Sequence, residues 1–477
     1  MIGLSLIGNN FKYETENIIM IFFPDQKIRE NERGDFMNIA ADSSGADLCV
    51  SIEYNNKIYS DKCEKSGNDE LSLCRMIFLI LSEITGIKPD WGMLTGVRPT
   101  KLLRTLIVKH GLSKALDIMR NEMLVSNHKL TLAYQTMRIQ DSLLDSFDPM
   151  GYNLYVSIPF CKSRCSYCSF ISHDVAHSAK LIPEYVELLC KEIEHTMALA
   201  NSLGLKLQTV YFGGGTPTAL DDGMLSLIDK AIRKNADTSS LREYTVEAGR
   251  PDTITAKKLR EIKAMGANRI SINPQTLSDE TLKRIGRAHT VGQFYNSFSI
   301  ARSLGFNNIN TDLIAGLAGE NEQDFERTLD RIIDLAPECI TVHTLSVKRS
   351  ASATESGEAQ FNARRSDVDK MIEYSREKMY DSGYFPYYMY RQSRQTGNLE
   401  NVGWSMPHFE GLYNMLIMEE LQTVVAVGAG ASSKAVGAGD IKRVFNYKYP
   451  YEYISGFNEI LNRKDKFFGI ISEQLNG

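Results

Sequence analysis

The stretch from Tyr155 to Phe170 reads Tyr-Val-Ser-Ile-Pro-Phe-Cys-Lys-Ser-Arg-Cys-Ser-Tyr-Cys-Ser-Phe, with cysteines at Cys161, Cys165 and Cys168. Soft thiolates at C-x3-C-x2-C spacing can bind three corners of an iron–sulfur cube. No fourth cysteine follows in this loop, so one iron keeps an open position that can bind a small molecule. A structural site is expected to close its coordination shell, as structural zinc sites do. The spacing therefore predicts a catalytic iron–sulfur loop.

A zinc site is the alternative interpretation of these thiols. His173 and His177 follow the loop closely enough to serve as further ligands, so zinc is kept as an alternative metal. Zinc sites, however, favour paired C-x2-4-C units with further cysteine or histidine ligands. We therefore interpret the two histidines as polar residues of the loop or of the start of the next helix.

Composition and charge are those of an ordinary globular protein. The chain has 477 residues, of which 43% are hydrophobic and 24% charged, which suits two or three domains. A net charge of −5 argues against a nucleic-acid partner recognised by bulk charge. The start lacks a basic signal region, and the apolar run at 76–81 is too short to cross a bilayer. We expect a cytoplasmic protein without a membrane partner. The cysteines outside the loop are scattered and predict no disulfide framework: Cys49, Cys63, Cys74, Cys190 and Cys339.

Residues 1–150 are predicted to form a separate α/β domain, whose role no motif indicates. The predicted strands are Ile2–Ile7, Ile18–Phe23 and Asp47–Tyr59. The predicted helices are Leu71–Ile84, Thr100–Lys109 and Ser126–Phe147.

Residues 151–385 alternate short apolar strands with helical patterns. The predicted strands are Asn153–Ile158, Gln208–Phe212, Glu243–Glu247, Arg269–Ile272, Asn308–Leu313 and Cys339–Leu345. The predicted helices are Ile182–Leu203, Met224–Lys234, Thr255–Met265, Phe294–Leu304, Glu322–Leu335 and Asp367–Ser382. Six such units predict a parallel sheet curled into an incomplete (β/α)6 barrel. The cysteine loop follows the first strand, at the carboxyl-end face where sites of such folds assemble.

Residues 386–477 are predicted to form a smaller C-terminal region that covers the barrel mouth. Its run Val424–Lys434 contains glycines but lacks the G-x4-G-K-[ST] pattern of a phosphate loop. We interpret this run as a buried strand.

The cysteine loop and its flanks resemble those of the radical S-adenosylmethionine (SAM) enzymes. The resemblance implies a [4Fe–4S] cluster whose open iron chelates the methionine end of SAM. It further implies an external one-electron donor, such as a flavodoxin or ferredoxin, and a 5'-deoxyadenosyl radical.

Polar groups and glycines at later strand ends fit the same chemistry. Gly213-Gly214-Gly215-Thr216 follows the second strand, and glycines let a backbone lie flat against a ligand. This run resembles the stretch by which the family holds the methionine end of SAM. Four further side chains offer carboxylates for an amine and ribose hydroxyls, an arginine for a carboxylate, and an amide: Glu247, Gln275, Arg287 and Asp312. Each alone is more often a surface or capping residue.

Residues from about 150 to 350 are similar to oxygen-independent coproporphyrinogen III oxidase and its heme-chaperone relatives. The shared runs are Tyr-x-x-Ile-Pro-Phe-Cys-x3-Cys-x-Tyr-Cys, Gly-Gly-Gly-Thr-Pro-Thr, Arg-Ile-Ser-Ile…Gln…Ile-Gly-Arg-x-His and Asp-Leu-Ile-x-Gly-Leu. The resemblance implies SAM contacts from Tyr155, Tyr167, Gly213, Gly214, Gly215, Thr216, Glu247, Gln275, Arg287, Asp312 and Ser346. The long N-terminal region and the run 397–403 resemble a longer branch, usually called coproporphyrinogen dehydrogenase.

The implied reaction is the oxidative decarboxylation of two propionates of coproporphyrinogen III, giving protoporphyrinogen IX in heme biosynthesis. Two positions depart from the oxidase: Ser157 stands where it has histidine, and Phe170 where it has a fourth cysteine. The Cys-x-Phe ending is shared with the heme chaperones. The alternatives are therefore a heme chaperone that keeps the cluster and a radical SAM methyltransferase or ring-opening enzyme acting on a tetrapyrrole.

A substrate with four propionates is expected to meet several cationic or hydrogen-bonding groups at the barrel mouth. The candidates lie near the last strand and the start of the C-terminal region: Lys348, Arg349, Arg391 and Arg394.

Overall fold

The computed structural model describes residues 1–65, 67–170, 172–346, 365–392, 398–437 and 440–476. The chain divides into two compact units. The N-terminal unit comprises Met1–Gln135 and Arg391–Leu399. The barrel unit comprises Thr136–Tyr390 and Glu400–Gly477.

The described residues of the N-terminal unit form a five-stranded sheet of order β2-β1-β3-β4-β5. Its strands are β1 (Ile2–Ile7), β2 (Ile28–Glu30), β3 (Met37–Asp42), β4 (Asp47–Tyr54) and β5 (Lys57–Glu64). Its helices are α1 (Lys12–Phe22), α2 (Asp69–Thr85), α3 (Pro99–His110), α4 (Leu112–Asp117) and α5 (Asn127–Leu144), and the unit boundary falls within α5. Apolar side chains of α1 and α2 pack on the sheet and form the core. Helix α3 starts at Pro99, since proline is tolerated in the first turn.

Two strand predictions in this unit are wrong. The run Ile18–Phe23 lies largely in helix α1, where Ile18, Ile19 and Phe22 are buried. A short apolar run fits a buried strand and a buried helix face equally well. The run Asp47–Tyr59 is two antiparallel strands, because Asn55 and Asn56 adopt positive φ of 49° and 61° and reverse the chain.

The barrel unit contains, in its described residues, an eleven-stranded sheet of order β14-β15-β13-β12-β11-β10-β9-β6-β16-β17-β18. Its strands are β6 (Gly151–Ile158), β7 (Phe160–Cys161), β8 (His173–Asp174), β9 (Lys206–Gly214), β10 (Glu243–Glu247), β11 (Arg269–Ser271), β12 (Ile309–Ala315), β13 (Cys339–Thr344), β14 (Phe385–Arg391), β15 (Glu400–Ser405), β16 (Thr423–Val427), β17 (Ser432–Ala435) and β18 (Lys442–Phe445), where β7 and β8 pair separately from the large sheet. Its helices are α6 (Val175–Ser178), α7 (Ile182–Ser202), α8 (Met224–Asn235), α9 (Ala256–Ala264), α10 (Asp279–Arg284), α11 (Val291–Ser303), α12 (Glu322–Asp334), α13 (Arg365–Asp381), α14 (Leu412–Glu419), α15 (Pro450–Ser455) and α16 (Phe457–Asn476).

The six central strands β6, β9, β10, β11, β12 and β13 are neighbours in chain order and pair in parallel. Helices separate successive strands, so the chain returns each time to start the next strand in the same direction. This arrangement confirms the predicted α/β class with an incomplete (β/α)6 barrel. Because the strands are parallel, their carboxyl ends lie at one edge, where the loops that carry the predicted site begin.

The C-terminal residues extend this sheet on both sides. Strand β16 pairs in parallel with β6, and β15 pairs antiparallel with β13. Helix α16 is joined to α7 by an ion pair between Lys464 Nζ and Glu192 Oε1 at 3.1 Å, with both side chains buried. The Glu192 carboxylate also accepts hydrogen bonds from the Tyr453 hydroxyl and the Gly428 amide. These additional bonds let a buried charge pair persist without unpaired groups.

Among the described residues, no helix combines the length and the apolar character needed to cross a bilayer.

Candidate active site

The cysteine loop leaves β6 at Ile158 and is held from one side by Arg250. The Arg250 Nη1 and Nη2 groups donate to the backbone oxygen and the hydroxyl of Ser163, each at 3.0 Å. The same guanidinium binds both carboxylate oxygens of Asp252, at 3.0 and 3.2 Å, and Nη1 lies 3.7 Å from Cys165 Sγ. Sequence reasoning missed Arg250, although it follows the β10 strand end by three residues.

The turn after α10 supports the loop from a second side. The Ser166 amide donates to the Ile285 carbonyl at 3.0 Å, and the Ser163 hydroxyl donates to the Gly286 carbonyl at 3.3 Å. Gly286 has a φ of +74°, and a Cβ there would lie 3.2 Å from the Arg164 oxygen. Glycine is thus favoured at this close approach.

The three thiols are sheltered from solvent to different degrees and influence one another. Burial raises the pKa of Cys161 and raises that of Cys168 to about 11, and the neighbouring cysteines add to both shifts. Ligation by thiolate therefore has to release protons. In the described chain no three metal-binding side chains are grouped tightly enough to hold one metal ion. A cubane takes its thiolates on different irons, so its three sulfurs need not meet at one point.

The histidines of the zinc alternative have other surroundings. His173 is in β8, where it is paired with Phe160. The His177 ring contacts the Asp174 carboxylate at 3.2 Å and is largely exposed. Asp174 caps α6 by accepting the Ala176 and His177 amides, so His177 belongs to a helix start, as predicted.

The glycine run lies against the end of β6. A Cβ on Gly215 would come within 2.6 Å of the Phe160 oxygen, and one on Gly214 within 3.3 Å of the Tyr155 hydroxyl. Thr216 donates its hydroxyl to Cys161 Sγ at 3.4 Å. Gly215 is therefore required by close packing against the backbone of residues 158–160, whereas Gly214 has a φ of +101° and lies against the Ser157 and Tyr155 hydroxyls. Thr216 joins this run to the cluster loop.

Glu247 ends β10 and faces the barrel interior beside an aromatic stack. The Tyr211 hydroxyl donates to Glu247 Oε1 at 2.5 Å. The Tyr211 ring stacks on Tyr413 at 4.4 Å and lies 6.2 Å from the Tyr155 ring. Gly213 adjoins this group, since a Cβ there would lie 3.3 Å from the Glu247 carboxyl carbon and from the Tyr155 ring. Burial raises the pKa of Glu247 to about 7, which places its titration in the physiological range.

Asp312 is held by two amides and a histidine. Asn273 Nδ2 and Asn310 Nδ2 each donate to its carboxylate at 2.8 Å. His343 Nε2 lies 3.8 Å from the carboxylate, and the Tyr390 hydroxyl lies 3.4 Å from His343 Nδ1. Burial alone would raise the pKa of Asp312, but its interactions with His343 and the Asn310 amide lower it overall. Sequence reasoning missed these supporting groups. The signal for Asn273 was present, because it directly follows the predicted strand that ends at Ile272.

Arg287 links the cluster loop to the end of β10. Its Nε donates to the Tyr167 hydroxyl at 3.2 Å, and its Nη1 donates to the Gly249 carbonyl at 3.1 Å. His289 is buried nearby, and burial together with the charges of Arg287 and Arg250 lowers its pKa to about 3. The His289 ring lies beside the Pro274 backbone, which raises its pKa slightly against these effects. Within the described chain, the buried Ser346 hydroxyl oxygen has no hydrogen-bond partner. A buried hydroxyl of this kind is rarely left unpaired, so it indicates room for a polar ligand.

Gln275 is held in a conformation that non-glycine residues rarely adopt. Its φ is +68°, its amide donates to the Asp312 carbonyl at 3.0 Å, and its carbonyl accepts from the Ile314 amide at 3.1 Å. Backbone strain of this kind is concentrated at binding sites and persists only where surrounding bonds enforce it. The two bonds fix Gln275 beside Asp312.

Arg391 does not have the environment predicted for a substrate-binding residue. It is 3% exposed, and its guanidinium donates to the carbonyls of Leu94, Gly96 and Asn398 within the N-terminal unit. Its guanidinium carbon lies 5.5 Å from the centre of the Trp91 ring. A side chain held in this way would have to lose its bonds to reach a propionate, so this prediction is wrong. The other three candidates, Lys348, Arg349 and Arg394, lie outside the described residues.

The donor set fits a cluster and SAM. Cys161, Cys165 and Cys168 would hold the cluster, while the unpaired hydroxyl of Ser346 would find a partner in a polar ligand. The carboxylates of Glu247 and Asp312 lie at the same end of the barrel as the thiols. Comparison with known proteins agrees: residues 155–332 match the model of the Radical SAM superfamily. The fold and site thus define a radical SAM protein, which confirms the resemblance seen in the sequence.

Similarity to individual proteins narrows the class. The chain is 37% identical over 432 residues to the oxygen-independent coproporphyrinogen-III oxidase-like protein HemZ of Bacillus subtilis, covering 88% of this chain and 86% of that protein. The chain therefore belongs to the oxygen-independent coproporphyrinogen-III oxidase-like family of radical SAM proteins, whose cofactors are a [4Fe–4S] cluster and SAM.

Two further comparisons are informative. The heme chaperone HemW of Bacillus subtilis is 37% identical over 195 residues, covering 41% of this chain and 50% of that protein. The structure of coproporphyrinogen III oxidase from Escherichia coli aligns with a TM-score of 0.52 and 23% identity, over 65% of this chain and 69% of that one. The latter likeness shows the shared fold.

Proposed function

We propose that this protein catalyses the oxygen-independent oxidative decarboxylation of coproporphyrinogen III to protoporphyrinogen IX. The observation that carries the proposal is the convergence at one barrel end of the three-thiol loop with Glu247, Arg287 and Asp312. The similarity to an oxidase-like protein along 88% of the chain supports the choice of substrate.

The side chains of the site have separable tasks in this proposal. Arg287 supplies a fixed cation for the carboxylate of SAM, while Glu247 and Asp312 supply carboxylates for its amine and ribose hydroxyls. Arg250 and the Ile285–Gly286 turn keep the loop in place, so orientation is established before the ligand binds. When bound, the cluster and SAM would supply the radical that removes a hydrogen atom from a propionate, after which CO2 leaves and an acceptor takes the remaining electron.

An anaerobic assay tests the proposal. Protein with a reconstituted cluster is supplied with SAM, a chemical reductant and coproporphyrinogen III, and the products are separated by mass. We expect one tetrapyrrole product that has lost CO2 and two hydrogen atoms from one propionate, and a second product that has lost them from two propionates. We also expect 5'-deoxyadenosine. Cys168→Ala is the matched control and should give neither. SAM cleavage with unchanged coproporphyrinogen III would contradict the proposal.

Heme binding is the second candidate function. It is favoured by Phe170, which stands at the position of the oxidase's fourth cysteine and is 60% exposed, and by the similarity to the chaperone HemW. Titration of the purified protein with heme, followed by its visible absorption, tests this candidate. Saturation at one heme per chain, with no decarboxylated product in the enzyme assay, would favour the chaperone over the oxidase.

A further inference from the structure

The side chain of Tyr211 reaches from β9 to the end of the neighbouring strand β10, inside the barrel. In the parallel pairing of these strands Tyr211 is opposite Thr245, and Glu247 lies two residues further along β10, on the same face of the sheet. The Tyr211 hydroxyl donates to Glu247 Oε1 at 2.5 Å. Gly213 leaves the space for this contact, since a Cβ there would lie 2.9 Å from the Tyr211 ring. The strand register and one glycine therefore bring the hydroxyl and the carboxylate together.

The orientation of Glu247 depends on a single hydrogen bond, unlike that of the other carboxylate of the site. Asp312 accepts hydrogen bonds from two amides, those of Asn273 and Asn310. Among the described residues, Tyr211 is the one group that donates to the Glu247 carboxylate. Loss of the Tyr211 hydroxyl would therefore leave Glu247 without a bond that fixes its direction.

The Tyr211 ring is itself held by neighbouring rings. It packs nearly parallel to the rings of Tyr413 and Tyr155, at 4.4 and 6.2 Å, with interplanar angles of 22° and 23°. Burial, together with the charge of Glu247, raises the pKa of Tyr211 well above its ordinary value, so its hydroxyl stays protonated and remains a donor. A donor fixed in this way can orient a carboxylate before a ligand binds.

We propose that Tyr211 is a positioning residue for SAM, and that its hydroxyl holds the Glu247 carboxylate ready for contact with this ligand. The inference rests on the proposed function, in which Glu247 supplies a carboxylate to SAM. It assigns a task to a tyrosine that does not itself have to touch SAM.

The same hydroxyl influences the ionisation of Glu247. Burial raises the pKa of Glu247 to about 7, the hydrogen bond from Tyr211 acts in the opposite direction, and the charge of Asp312 adds to the rise. The other ionisable groups that interact with Glu247 are the hydroxyls of Tyr155 and Tyr413, whose pKa values burial raises. Tyr211→Phe would leave burial and the Asp312 charge unopposed, so the titration of Glu247 should move to higher pH.

The pH dependence of SAM binding tests the inference, measured by equilibrium dialysis on the full chain with its reconstituted cluster. Tyr211→Phe keeps the aromatic ring and removes the hydroxyl. Its midpoint should lie about one pH unit above that of the parent, because a hydrogen bond to a charged group contributes at least the free energy of such a shift. The dissociation constant for SAM should consequently rise about fivefold more at pH 7 than at pH 9.

Tyr244→Phe is the matched control, because it also removes a buried tyrosine hydroxyl that donates to a carboxylate. The Tyr244 hydroxyl donates to Asp229 Oδ1 at 2.8 Å, and Asp229 lies in helix α8, outside the barrel. This variant should lower the free energy of unfolding in urea, and it should keep the parental midpoint and the parental affinity for SAM.

Infrared titration of the protein without SAM provides a second readout, which does not depend on binding. The protonated carboxyl band that is missing in Glu247→Gln reports on Glu247, and its midpoint should be higher in Tyr211→Phe than in the parent. An equal midpoint in the two proteins, or a loss of SAM affinity that is uniform across pH, would overturn the inference. A parental pH dependence without any decarboxylation of coproporphyrinogen III would instead overturn the proposed function, so the two failures are distinguishable.

Discussion

Buried polar groups line both ends of the barrel sheet, but the two ends differ in how these groups are hydrogen-bonded. At the amino end, Arg269 donates to Asn308 at 2.9 Å, to Cys339 Sγ and the Phe409 carbonyl at 3.0 Å, and to the Tyr387 hydroxyl at 3.3 Å. At the carboxyl end, the buried Ser346 hydroxyl has no hydrogen-bond partner in the described chain.

The difference separates groups that stabilise the fold from groups that bind. Arg269 is bound by groups of neighbouring strands and loops, so it contributes to the stability of the fold. The Glu243 carboxylate, at the same end, accepts the Leu412 and Tyr413 amides at the start of α14. An unpaired buried atom at the carboxyl end lowers stability unless a ligand forms a hydrogen bond with it. Each prediction below tests whether the two ends separate in this way.

The largest effect is expected from the cluster ligands. Replacing Cys161, Cys165 or Cys168 by Ala should reduce bound iron and sulfide from about four of each to near zero and should abolish SAM cleavage. Cys190→Ala is the control, because this cysteine lies on α7 away from the loop. Iron and sulfide analysis after anaerobic reconstitution measures the result. Loss of the cluster in Cys190→Ala would break the assignment of the ligands.

Arg269→Ala should be the most destabilising change at the amino end. It leaves several buried acceptors unpaired, which costs about 3–5 kcal/mol in the free energy of unfolding. Urea unfolding followed by Trp404 fluorescence, in a Trp91→Phe background, reports on the barrel unit, since Trp404 lies in β15. The folded fraction should retain parental affinity for SAM. A selective loss of SAM binding without destabilisation would contradict the division between the two ends.

Asp312→Asn should weaken SAM binding and should also lower stability, because the Asn273 and Asn310 amides then share a single acceptor oxygen. A hydrogen bond to a charged group contributes about 1.5–3 kcal/mol, which corresponds to roughly a 10- to 150-fold rise in the SAM dissociation constant. Glu243→Gln is the matched carboxylate control at the amino end, and it should lower stability while leaving SAM affinity unchanged. Equilibrium dialysis with labelled SAM measures both variants. Equal losses of affinity in the two variants would remove the distinction.

The fold of the barrel unit was largely predictable because its strands are buried on both faces and its helices are amphipathic. Strand β10 has the predicted bounds Glu243–Glu247, and β13 ends one residue before the predicted Leu345. Strands with only one buried face were harder to predict from the sequence. Strand β3 was not predicted, since its alternation in Met37–Asp42 relies on small and polar residues.

The residues of the site differed in how readily the sequence predicted them. Motifs and strand ends indicated the cysteines, Glu247, Arg287 and Asp312, because chemistry at a parallel sheet edge depends on position along the chain. Supporting groups such as Arg250 and His343 act through contacts between distant loops and strands, which no local pattern encodes. Arg391 shows the converse, since a cation near the predicted mouth is bound by carbonyls of the N-terminal unit.

The smallest expected effect is a pH dependence of SAM affinity, which arises from Glu247 at the carboxyl end. Burial raises the pKa of Glu247 to about 7, so the free protein carries a neutral acid below that pH and a carboxylate above it. If SAM binds the carboxylate, its affinity should fall as the pH drops, by about tenfold between pH 8 and pH 6. Glu247→Gln should bind SAM more weakly and should lose this dependence, because the amide does not titrate. Dialysis at a series of pH values measures both curves, and Glu243→Gln should keep the parental slope. A parental slope in Glu247→Gln would assign the titration to another group and would remove Glu247 from the SAM contacts.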